Sequence, residues 1–128
     1  MAGKIVADTL EHSTAGSIAT NYVVEGSAKA WVNFNGTGTI AARDSLNVGS
    51  LTDDGTGIYS INFATSMGNA NYSTAGSAGG DSSAHIFTKK GAGTHTASTV
   101  QIIIAENASS ATPTDDSIVD TQVHGDLA

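Results

Sequence analysis

Residues 28–63 read AKAWVNFNGTGTIAARDSLNVGSLTDDGTGIYSINF, and their period decides the fold. Residues 29–34 alternate, with Ala30, Val32 and Phe34 on one face and Lys29, Trp31 and Asn33 on the other. Residues 58–63 alternate in the same way, placing Tyr59, Ile61 and Phe63 opposite Ser60 and Asn62. A period of two is the signature of a half-buried antiparallel strand. Between the two runs lie Asn35-Gly36-Thr37-Gly38 and Asp53-Asp54-Gly55-Thr56-Gly57, whose glycines suit tight reversals. Trp31, Val32, Phe34, Tyr59, Ile61 and Phe63 are therefore the expected core and interface residues. Trp31 is the only tryptophan, and its place on the polar-looking face suggests a second apolar surface, a subunit contact.

Outward from this stretch, residues 39–43 read as the hairpin partner of 29–34, and 46–51 as a further strand. Residues 84–89, 98–105 and 116–124 are strand candidates, with Val100, Ile102 and Ile104 alternating. Residues 73–81 are so rich in Ser, Ala and Gly that a strand end and a loop are expected, and 107–116 is a polar loop around Pro113. Strands recurring at the spacing of sandwiches and barrels predict an all-β, antiparallel β-sandwich of jelly-roll-like type over residues 28–128. Residues 1–27 read as an extended N-terminal arm. Ile5, Val6 and Leu10 form its first apolar cluster, and the strand-like Tyr22-Val23-Val24 its second, on either side of a Ser/Thr/Gly break. Clusters this short cannot make a core and must bury against something larger.

The length, 128 residues, suits one domain. Charged residues at 13% and aromatics at 5% are scarce, which disfavours a helical bundle and fits short strands joined by polar turns. A core diluted by Ala and Gly predicts that the protomer gains stability by oligomerising. Net charge is −7, and the five basic residues form no stripe, so nucleic acid is not an expected partner. The start of the chain lacks the apolar core of a signal peptide, and no apolar run approaches a membrane span. Synthesis in a cytoplasm without export is the expectation.

No residue pattern points to catalysis. Cysteine is absent, which excludes thiol chemistry and thiolate metal sites. The four histidines, His12, His85, His95 and His124, lie far apart with no ligand spacing, and each reads as a surface or loop residue. Asp53-Asp54-Gly55 and Asp115-Asp116 lack the full calcium loop and read as turn acids bonding their own backbone. No serine sits in a nucleophile elbow, and no carboxylate pair stands out. The expectation is a non-enzymatic protein with no cofactor and no metal.

The run Ala28-Lys29-Ala30-Trp31-Val32-Asn33-Phe34, followed by Asn35-Gly36-Thr37-Gly38-Thr39, Arg43-Asp44-Ser45 and residues 52–61 and 67–72, resembles a module of phage tail-fibre and related virion structural proteins. The closing residues 123–128 resemble the ends of such chains. The resemblance implies a trimeric β-sandwich on the virion surface, acting as a tail-fibre-type module for host binding. Residues 73–83 and 108–116 would then be loops that touch a host glycan or receptor. Its alternative is a capsid decoration protein bound to the major capsid protein, with residues 1–27 docked on the particle. Its partners would be further copies of itself and other virion proteins.

Overall fold

A computed structural model describes residues 3–80, 84–89, 95–106 and 112–128. In chain order the elements are β1 (Thr9–His12), β2 (Gly16–Ala19), α1 (Thr20–Gly26), β3 (Ala30–Asn35), β4 (Ala41–Leu46), β5 (Val48–Gly55), β6 (Ile58–Phe63), β7 (Ser73–Gly79), β8 (His85–Lys89), β9 (Thr99–Glu106) and β10 (Ile118–His124). Both alternating runs are strands, and each buries the face that its period marks. They lie in different sheets. One sheet has the order β4-β3-β10-β7 and the other β5-β6-β9-β8, all antiparallel, packed as a sandwich.

The layer between the sheets is a single apolar cluster. Ala30, Val32, Phe34, Val119 and Val123 come from the first sheet, and Tyr59, Ile61, Phe63, Val100, Ile102 and Ile104 from the second. Phe34 and Tyr59 meet edge to face across the layer, with ring centroids 5.2 Å apart. Met67 and Tyr72, from the link between β6 and β7, close one end of the cluster. Each such side chain contributes about 1.5–3 kcal/mol on burial, which the short strands alone would not supply. Of the expected core residues, Val32, Phe34, Tyr59, Ile61 and Phe63 lie in this cluster. Trp31 does not; it stands half-buried on the outer face of β3.

Three pairs of consecutive strands, β3-β4, β5-β6 and β8-β9, are hairpin neighbours within a sheet. The links β4–β5, β6–β7, β7–β8 and β9–β10 pass from one sheet to the other, and β10 lies between β3 and β7. Residues 73–79, expected as a strand end and a loop, are strand throughout. They form strand β7, hydrogen-bonded along its length to β10, because small side chains fit where Gly76 presses on the Phe87 ring. The turn expected at 53–57 narrows to Thr56-Gly57, since β5 continues to Gly55. Gly57 has φ +66°, and a Cβ there would stand 2.4 Å from the Ile104 carbonyl oxygen, so only glycine fits. The expected turn at residues 90–93 and the loop positions 81–83 and 108–111 lie outside the described residues.

The N-terminal segment departs from the extended arm read from sequence. β1 and β2 pair as a hairpin, turned where the His12 ring Nδ1 accepts the backbone N–H groups of Thr14 and Ala15. Tyr22-Val23-Val24 is not a strand but part of α1. No strand edge is offered to this stretch, so its backbone groups find partners within a helix rather than across a ladder. Thr20 ties α1 back to the chain before β1, donating its N–H to Asp8 O and its hydroxyl to Ala7 O.

Candidate functional site

Three places on the molecule gather functional side chains, and they differ in what they can do. The first is the N-terminal appendage. Among the described residues up to Ser27, not one is buried. Yet this segment exposes Ile5, Val6, Leu10, Ile18, Tyr22, Val23 and Val24; Ile5 is 90% exposed and Val6 82%. Thr20, Val23 and Val24 share one face of α1 at helical spacing. With Lys4, Ile5, Val6, Ala7 and Leu10 they line an open, largely apolar groove of ≈ 470 Å³. The helix has seven residues, no side-chain N-cap bond, no acid in its first turn and no base in its last. A helix so short and uncapped is marginal by itself. The appendage packs chiefly on itself rather than on the sandwich. Ile5, Val6 and Leu10, expected as attachment residues, are thus all solvent-facing.

The second place is a knot of three loops at one end of the sandwich. Asp115 Oδ1 accepts the Gly57 N–H at 2.7 Å and lies 3.0 Å from the Tyr59 hydroxyl. That hydroxyl is also 3.0 Å from Gly36 O, so its one proton is shared between two acceptors. Gly36 in turn donates its N–H to Asp116 O. Burial, and then the Asp115 carboxylate, push the Tyr59 phenol far above its ordinary range. Nearby, His85 Nδ1 stands 3.1 Å from Asp116 Oδ2, both side chains buried. The pair is close but poorly aligned, so neither atom has a well-formed hydrogen bond among the described residues. His85 is therefore not the surface or loop residue expected from sequence, whereas His95 lies half-buried in the link before β9. The latter lies against the Tyr72 ring, with its Nε2 2.8 Å from Ala70 O. Burial, then the charge of Lys89, lower its pKa. Burial pushes the Tyr72 phenol up to about 12. Turn spacing could not have revealed the Asp116–His85 pair, because 31 positions separate its members (116 − 85). Among the described residues no three His, Cys, Asp or Glu converge to hold a metal ion.

The third place is the outer face of the β4-β3-β10-β7 sheet, an open concavity of ≈ 590 Å³ lined by Trp31, Asn33, Asp120 and Gln122 with the small residues of β7. Register puts Leu46, Trp31, Gln122 and Ala75 in one row across the sheet, and Asp44, Asn33, Asp120 and Ser77 in the next. Arg43 holds the second row in place. It donates to Asn33 Oδ1 and to Ser117 O, while Asn33 Nδ2 donates to Asp120 Oδ1. The outer face of the other sheet is different: its polar side chains bond one another, Asn62 with Ser50, Thr52 and Thr99, and Gln101 with Asp54.

No protein-family model matches the chain, and no curated protein or solved structure is similar to it at a significant level. Among the described residues, no helix is long and apolar enough to cross a membrane.

Proposed function

We propose that this protein is a non-enzymatic structural component of a tailed-phage virion, a surface module of the tail-fibre type that engages the host. The observation that carries the reading is the appendage: an ordered hairpin and helix with seven large apolar side chains exposed and none buried. Such a surface is costly to leave in water and suits a protein that docks on a larger assembly. The sandwich behind it is a rigid platform of the kind that presents contacts outward. The sequence resemblance within residues 26–77 supplies the class of assembly. Homotrimerisation belongs to this reading, supported by the Ala- and Gly-diluted core. Its partners are its own copies and the fibre, tail or capsid protein that receives the appendage.

A second reading, a capsid decoration protein, is favoured by the shape of the appendage. A folded hairpin and helix around an apolar groove suits a preformed lattice better than an extended strand would. Immunogold electron microscopy of purified particles separates the two. Label on the tail supports the fibre reading, uniform label on the head supports decoration, and particles without label refute both. Light scattering of the purified protein tests the trimer, which a folded monomer mass at micromolar concentration would contradict.

A further inference from the structure

We propose that the outer face around Trp31 binds a neutral saccharide. An indole that is half-buried and held by a strand offers a flat apolar platform, and the C–H face of a hexose stacks on such a ring. Hydroxyl groups at the rim of the sugar then need fixed polar partners within reach, and the neighbouring row supplies them. Asn33, itself held by Arg43, donates its Nδ2 to Asp120 Oδ1, leaving the second Asp120 oxygen without a hydrogen bond among the described residues. The Trp31 indole N–H and the Gln122 amide are also without a hydrogen bond there, so one carboxylate oxygen, one amide and one ring N–H point into the same open concavity. A few fixed polar groups beside an apolar surface are what a small-ligand site requires. β7 keeps the floor low, since Ala75 and Ser77 are the side chains opposite Gln122 and Asp120. The outer face of the other sheet bonds most of its polar side chains to one another, Gln101 Oε1 being left over, and has no aromatic ring for a sugar to stack on. Charge sets the class. Asp120 and Asp44 lie in the row while Arg43 is already engaged, which disfavours uronic or sialic acids and selects uncharged hexoses.

This inference rests on the surface-module reading in one respect: the face must point away from the particle. Because Trp31 is the only tryptophan, its emission reports directly on the site. Short oligosaccharides of glucose, galactose and mannose are titrated into the full-length protein, with oligogalacturonate as the charged control. At least one neutral series should give a saturable change in emission, and oligogalacturonate none. Asp120→Asn should weaken that binding about ten-fold or more, the loss of one charge-assisted hydrogen bond, without moving the melting temperature. Gln122→Ala, at an exposed position, gives the same test where Asp120→Asn disturbs folding. An unmoved wild-type emission in all three neutral series overturns the proposal, and so do variants that bind like wild type. Acrylamide that fails to quench Trp31 also overturns it, because a second copy of the chain would then cover the face. Particle location is read separately by immunogold, so a labelled virion protein that ignores sugars refutes this inference alone.

Discussion

Replacing Tyr59 by Phe isolates one hydroxyl. The ring stays, and with it the edge-to-face contact with Phe34 and the apolar burial, because Tyr59 is fully buried. What disappears is the group that sits 3.0 Å from both Gly36 O and Asp115 Oδ1. Asp115 keeps the Gly57 N–H, but the carbonyl of the buried Gly36 loses its hydroxyl partner. Leaving a buried acceptor unpaired costs about 1–3 kcal/mol. At roughly 4 °C per kcal/mol for a body of this size, Tyr59→Phe should melt about 4–12 °C below wild type at neutral pH. A pH series makes the assay specific. The folded state holds the Tyr59 proton more tightly than the unfolded chain, so the hydroxyl's contribution is fully present below the unfolded pKa of about 10 and is lost as pH rises above it. The gap between variant and wild type should therefore narrow in alkali, as followed by circular dichroism melts. The Tyr72 proton, pushed up to about 12, stays in both proteins and cancels in the comparison. A variant as stable as wild type at neutral pH, or a gap that widens in alkali, would refute the reasoning.

Two further substitutions test the placement of the core. Phe34→Ala should cost about 3–5 kcal/mol and Trp31→Ala clearly less, since only the first empties the layer between the sheets; equal losses in a urea melt would return Trp31 to the core. Gly57→Ala should lose at least about 2 kcal/mol, because it combines a left-handed residue with a clash against the Ile104 carbonyl, and an unchanged melt would show that the Thr56-Gly57 turn is not as described.

The strands were legible wherever one face is apolar and the other polar. The alternations of 30–34 and 58–63, with Val100, Ile102 and Ile104, mark side chains that now meet in one layer. β7 was illegible because Ser73–Gly79 has almost no apolar side chain; its strand is set by pairing with β10, whose partners lie 39 (118 − 79) to 51 (124 − 73) positions away. The helix was misread for the opposite reason. Tyr22-Val23-Val24 has strong strand propensity, but propensity without an adjacent edge cannot build a ladder. Trp31 shows the limit of hydrophobicity as a guide: its period put it outside the core correctly, and its size suggested burial. The His85–Asp116 pair and the Tyr59 knot join parts of the chain that no local motif connects.

The proposed function requires that residues 1–27 attach the protein to a particle while the sandwich folds without them. Deleting 1–27 removes β1, β2 and α1 and leaves β3 with its neighbours β4 and β10. The measurement is particle incorporation of the deleted protein beside its circular dichroism melt. The account predicts a cooperative β-type melt and no incorporation. A chain that fails to fold would make the segment part of the domain, and a folded chain that still enters particles would place attachment on the sandwich surface; either result contradicts the claim.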